Sequence, residues 1–233
     1  MHEKIETCYL CGKSLVDAKV NEVNKDHVPP KQLYAMGMRK RLNPNLYWLP
    51  THRVCNKAFQ HDEDYFVHSL GPLAKGTLAG NDLLDDIARK LSKPEGQIIG
   101  KMILQEFDKT PSGLILPLGI VVKRFNGKRI QRIIWKITRG LFYKEEKRIL
   151  DEKTPWYCNL CSPGYEPPYE FRPIVGNPSK GDYPEVFDYK FGSFWDNDNK
   201  FFIWSMLFWN KIISIVFCHD PECTCKICQN KKV

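Results

Sequence analysis

Apolar and polar positions change their period several times along this chain. Val20, Val23 and Val28 are spaced among polar neighbours over residues 19–28, which predicts a short strand ending at His27 and stopped by Pro29-Pro30. Residues 31–45 show no period and carry Lys31, Arg39, Lys40 and Arg41, so they read as a basic loop. Leu46 to Leu49 holds the β-favouring Tyr47-Trp48 pair of a second strand. Thr51 as N-cap and Gly71 as stop then frame a helix. Residues 72–80 are Gly-rich with small side chains and predict a linker. Leu83, Leu84, Ile87 and Leu91 share one face of a helix over Asp82 to Leu91 capped by Asn81, and Gln97 to Phe107 predicts another. The run 113–125 is apolar and β-branched, and Asn126-Gly127 marks a turn. From Lys128 to Tyr143 the pattern is cleanest: Ile130, Ile133, Ile134, Ile137 and Leu141 recur at helical spacing.

Beyond Leu150 the chain is rich in Pro, Gly and aromatics, as in Tyr165-Glu166-Pro167-Pro168-Tyr169, and reads as irregular. Phe187 to Phe191 alternates like a strand. Phe201 to Phe217 is strongly apolar, but it is short for a bilayer span and carries Asn210 and Lys211 in its middle. Two buried strands turning at that pair explain it better. The elements together predict an α+β chain: a finger over residues 1–71, a linker over 72–80, an α+β companion domain over 81–217 with a basic helix at 128–143, and a Cys-rich tail over 218–233.

Composition sharpens this picture in two ways. Hydrophobic residues make up 42% of the 233, which predicts a packed core rather than disorder. The formal charge of +8 suits a polyanionic partner. Nine cysteines cannot all pair within one chain, and the opening His2-Glu3-Lys4 shows no apolar leader. A cytoplasmic, metal-binding protein with no membrane partner is therefore expected rather than a secreted disulfide scaffold. Cys8-x-x-Cys11 and His52-x-x-Cys55 match in spacing and supply the four soft or borderline ligands of a tetrahedral structural Zn²⁺.

In chain order, Asp26-His27 followed by Pro29, Asn45 before an apolar strand, and a second ligand pair ending in Cys55-Asn56 resemble the HNH endonuclease family in its HNN variant. The likeness covers roughly residues 5–70. Asn56 stands where the family name has its last histidine, and His52 where cysteine is usual. The resemblance implies a zinc-stapled ββα-metal finger and a metal-dependent endonuclease. His27 would be the general base, since an imidazole titrates near neutrality. Asp26 and Asn56 would hold one catalytic Mg²⁺ or Mn²⁺ on the scissile phosphate, and Asn45 would brace the loop behind His27. On a helix Asn56 lies about 100° from Cys55, so one can face the chemistry while the other faces the zinc. His61 lies about 140° from Asn56 and is retained only as a phosphate contact, whereas Gln60 and Glu63 fall nearer the Asn56 face.

Outside the finger, Arg129, Arg132, Lys136 and Arg139 fall largely off the isoleucine stripe and offer a one-signed surface for phosphates, the alternative being a solvated helix face. Cys158-x-x-Cys161 and Cys225-x-x-Cys228 offer the ligands of a second zinc. The expected partner is DNA, with RNA not distinguished, and double-strand cutting by a one-site finger points to a homodimer. Two rival readings stay open: a zinc-ribbon nucleic-acid-binding protein without catalysis, and the nuclease effector of a phage-defence or toxin system.

Overall fold

The computed structural model describes residues 6–108, 122–161, 172–196 and 199–230. The His2-Glu3-Lys4 opening, most of the 113–125 run and the Tyr165–Tyr169 stretch lie outside the described residues.

The chain opens with a knuckle in which Cys8 N–H bonds to Lys13 O and Gly12 N–H to Cys8 O, with Gly12 at a left-handed φ of 70°. Strand β1 (Val23–His27) pairs antiparallel with β2 (Trp48–His52), Asp26 opposite Leu49 and His27 opposite Trp48. The basic loop between them holds a helix of its own, α1 (Met36–Leu42), closed by Asn43 in the left-handed conformation. The single helix expected from Thr51 to Gly71 is instead two. Thr51 stays in the ladder, fully buried, with its hydroxyl on Asn24 O. His52 begins α2 (Arg53–Lys57), and a turn at Ala58-Phe59 separates it from α3 (Gln60–Leu70). That turn aims the Phe59 ring under the Arg132 and Lys136 side chains.

Residues 72–80 form no linker. They make a 3-10 turn over Gly71–Ala74 and the start of α4 (Leu78–Leu91), whose cap is Thr77 Oγ1 accepting from Gly80 N–H at 2.9 Å, not Asn81. Helix α5 (Pro94–Leu104) follows, then a two-residue ladder of β3 (Phe107–Asp108) and β4 (Val122–Lys123). The long helix α6 (Gly127–Glu146) starts at an Asn126 side-chain cap, and its five-residue stripe from Ile130 to Leu141 is buried as expected.

After α6 come β5 (Trp156–Cys161), the short α7 (Arg172–Val175), β6 (Phe187–Asp196), β7 (Asn199–Phe208), β8 (Ile212–His219) and α8 (Lys226–Asn230). They build an antiparallel sheet in the order β5-β8-β7-β6. The β7–β8 turn falls where it was expected, with Trp209 and Asn210 at positive φ. Trp209 is fully buried and its indole N–H reaches Leu33 O at 3.0 Å, so the hairpin tip is pinned to the loop after β1.

Helix α6 lies between this sheet and the β1–β2 finger. Phe142 meets Phe202 and Trp204 edge-on or tilted, and Trp135 stacks on Trp156 at 4.7 Å. On the finger side, Gly140 sits so close to Val28 that a Cβ there would lie 2.5 Å from a valine methyl. One hydrophobic core consequently runs from Cys8 and Leu10 through the α6 stripe to Val216 and Cys218. The mixed α+β class is as expected. No helix among the described residues is long and apolar enough to cross a membrane.

Candidate functional site

The knuckle and the β2–α2 junction bring Cys8, Cys11, His52 and Cys55 together, every pair of ligand atoms lying within 4.8 Å. Cys11 Sγ is 3.3 Å from His52 Nδ1. Zinc–sulfur bonds near 2.3 Å and zinc–nitrogen bonds near 2.0 Å set ligand atoms about 3.5 Å apart around a tetrahedral ion, so the four fit the metal. Burial pushes the Cys8 thiol up, and burial with the neighbouring Cys8 charge pushes Cys55 up to about 12. Without a cation to stabilise thiolates Cys8 and Cys55 keep their protons, so metal uptake must release them. Such a donor set suits a soft or borderline metal such as zinc.

At the end of the ladder away from His52, His27 closes β1 at the rim of an open groove of about 460 Å³, lined also by Lys31, Arg53, Asn56, Lys57 and Gln60. A second hollow of about 350 Å³ adjoins it, sharing His27 and Lys31 and adding Arg39 and Lys40. Burial and then the Lys31 charge lower the His27 pKa from its ordinary value, against a weaker pull from Asp26. The imidazole is therefore neutral at pH 7 and has a nitrogen able to accept a proton.

Asp26 and Asn56 do converge, as expected, and Glu63 joins them from α3. What they converge on is Lys136 of α6. Its Nζ lies 2.8 Å from Asp26 Oδ1, 3.4 Å from Asn56 Oδ1 and in contact with Glu63 Oε1. The other Asp26 oxygen accepts from Tyr9 Oη at 2.7 Å, and Asn56 Nδ2 donates to Lys25 O at 3.4 Å. Both Asp26 oxygens are thus engaged, and a divalent ion does not fit beside the ammonium. The point between Asp26 and Asn56 where Mg²⁺ or Mn²⁺ was expected is thus where the Lys136 ammonium lies. Asn45 is exposed, and the hydrogen bond it makes here is through its backbone N–H to Tyr183 Oη at 2.7 Å rather than a side-chain brace behind His27.

The phosphate surface expected on α6 is also revised. Lys136 is 2% exposed and Arg139 4%. Arg139 donates to Tyr9 O, Leu10 O and Leu150 O, which ties the zinc knuckle to the helix. Arg129 donates to Asp62 Oδ1 at 2.6 Å and to His61 O at 2.7 Å, and Arg132 pairs with the other Asp62 oxygen. Lys136 and Arg139 are thus buried opposite the isoleucine stripe, while Arg132 nearer the start of the helix stays exposed on its free edge. Exposed cations that line the His27 groove come from β1, the loop and α2 instead: Lys25, Lys31, Arg53 and Lys57.

A second quartet closes in the tail, with different members from those expected. His219 Nδ1 lies 3.5 Å from Cys223 Sγ, 3.5 Å from Cys225 Sγ and 3.3 Å from Cys228 Sγ. Cys158 and Cys161 take no part in it. They lie on β5, where residues three apart point to opposite faces, so this C-x-x-C cannot act as a knuckle. Cys158 packs toward the main core beside Ser214 Oγ, while Cys161 joins a small cluster with Ile174, Ile203 and Ile215. The signal for the true set was local density: His219, Cys223, Cys225 and Cys228 fall within ten residues.

No protein-family model, curated protein or solved structure matches this chain.

Proposed function

We propose that this chain is an HNH-type endonuclease that hydrolyses phosphodiester bonds in DNA, with His27 as general base. One observation carries the reading: the zinc-ligand quartet, the β-β-α unit and a neutral, groove-facing histidine stand together between Cys8 and Lys57 of the sequence. The phosphodiester would lie across the groove against Lys31, Arg53 and Lys57. His27 takes a proton from water, the resulting hydroxide attacks phosphorus, and the departing alkoxide draws a proton from solvent in the open groove. The nearby cations oppose the charge that builds on the phosphoryl oxygens. Positioned proton transfer supplies roughly 10²–10⁴ in rate, or about 3–5 kcal/mol of barrier. The structural zinc holds β2 and the knuckle so that the His27 backbone is fixed.

Zinc-loaded protein incubated with supercoiled plasmid tests the reading. Nicked or linear product that is lost in His27→Ala supports it; equal cutting by the variant ends it. A second reading, a zinc-stapled nucleic-acid-binding module without catalysis, is favoured by Lys136 filling the acidic cradle. It predicts DNA binding by both forms and cutting by neither, with any divalent ion.

A further inference from the structure

The Asp26–Asn56–Glu63 cradle has the composition of a divalent-cation site, yet its centre is taken by a side chain of the protein. Three acceptors meet the three protons of one ammonium, from β1, α2 and α3. Asp26 and Glu63 are almost wholly buried, as is Lys136 itself. The remaining carboxylate oxygens are engaged too: Asp26 Oδ2 by Tyr9, and Glu63 Oε2 by Gln32 Nε2 at 3.4 Å. The Lys136 ammonium also lies 5.3 Å from the centre of the Phe59 ring.

Lys136 cannot easily withdraw. Its helix is held by Ile133, Ile134 and Ile137, all within 1% of full burial, and by the Trp135–Trp156 stack. Mg²⁺ demands about six oxygens at 2.0–2.1 Å in octahedral array, and two like cations cannot share one point. Expelling the ammonium would move a charge through apolar surroundings and leave its own hydrogen bonds unmade.

We propose that Lys136 is the resident cation of the Asp26–Asn56–Glu63 cradle and keeps divalent ions out of it. The cradle then acts as a fixed internal ion pair that seats β1 and α2 on α6, and a metal site exists there only once the lysine is removed. This rests on the geometry of the cradle; for the nuclease reading it means that cleavage by the zinc-loaded protein does not require a divalent ion at Asp26.

Mn²⁺ titration followed by electron paramagnetic resonance tests it on the zinc-loaded chain, without DNA. The wild type should show no saturable Mn²⁺ at this site and no rise in melting temperature with Mn²⁺. Lys136→Ala should gain one Mn²⁺ per chain together with a Mn²⁺-dependent rise in melting temperature, and adding Asp26→Asn should abolish both. Lys136→Gln, which keeps an amide donor toward the carboxylates, serves if the alanine variant does not fold, and the same gain is expected of it. A wild-type Mn²⁺ site that Asp26→Asn removes would overturn the proposal. So would a folded Lys136→Ala or Lys136→Gln that gains no ion. Loss of cutting in His27→Ala is read in a separate assay, so the nuclease reading and this proposal can fail independently.

Discussion

Two histidines, both with a pKa lowered by burial, give acid-side pH dependences to look for, one in activity and one in stability. For His27 the lowered pKa keeps the base competent into mildly acidic solution. The acidic limb of kcat/KM should therefore fall below pH 6.5, and a limb above that value would remove His27 from the role. His68 is 3% exposed, with Nδ1 on Asp64 O at 2.7 Å and Nε2 buried without a hydrogen-bond partner in the structure. Its folded pKa is lowered, so the unfolded chain binds the proton more readily. Stability from this group is complete above the unfolded value near 6.5 and is lost as pH falls below it. His68→Phe should flatten that part of a urea-denaturation profile, and an unchanged slope would contradict the assignment. Exposed cations call for a different measurement. Lys31→Ala and Arg53→Ala should each weaken DNA binding for every sequence and reduce the salt slope by about 1, while Arg139→Ala leaves the slope alone. At this scale the sequence was informative where ligands are close in the chain. Cys8, Cys11, His52 and Cys55 could be grouped from spacing, and Glu63 could be placed near Asn56 from helical angle. Lys136 could not, because its partners lie 110, 80 and 73 residues away and no local pattern encodes such pairs.

Among the elements, α6 shows most clearly what periodicity reveals and what it hides. The stripe from Ile130 to Leu141 gave the helix and one of its buried sides. The opposite side looked solvated because it was charged, but those charges are matched by Asp62, Asp26, Glu63 and four backbone carbonyls, those of Tyr9, Leu10, His61 and Leu150. Amphipathicity reports polarity, and polarity can be satisfied by protein as well as by water. Two substitutions separate packing from pairing on this face. Gly140→Ala raises helix propensity by about 1 kcal/mol, yet its Cβ would meet Val28 at 2.5 Å, so net destabilisation of about 1–3 kcal/mol is expected from chemical denaturation. A stabilised variant would show that β1 shifts freely on α6. Arg139→Ala leaves the Tyr9, Leu10 and Leu150 carbonyls without their donor and should cost at least 1–3 kcal/mol, roughly the value of one buried unmet group. Faster zinc release to a chromogenic chelator should accompany it, since the knuckle loses its tie to the helix. The same reasoning explains the helix that was expected to be continuous from Thr51. Local capping signals favoured it, and ladder pairing of Pro50, Thr51 and His52 with β1 won.

For the molecule as a whole, the prediction is two zinc ions per chain by elemental analysis, one at each quartet. Cys228→Ser should lower the count to one and leave the finger's ion in place; a wild-type count of one would remove the tail site. Stripping zinc should destabilise both regions and raise the number of titratable thiols. The expected division into finger, linker and companion gives way to one core, because apolar faces on the two sides of residues 72–80 pack against each other through α6. Nothing in a stretch of small residues says whether it spans a gap or starts a helix, and here Thr77 decides for the helix. The hairpin at 209–211, by contrast, was legible because two strongly apolar runs were separated by Asn210-Lys211.

The pin between Trp209 and the Leu33 carbonyl spans 176 residues. During synthesis at roughly 5–20 residues per second, the loop beside His27 waits on the order of ten to thirty seconds for the tryptophan that fixes it. The Lys136 ammonium arrives partway through that interval and gives the cradle its cation before the loop is secured. A nascent finger emerging from the ribosome is therefore incomplete in its charge balance and in its walls until Lys136 and then Trp209 have followed it.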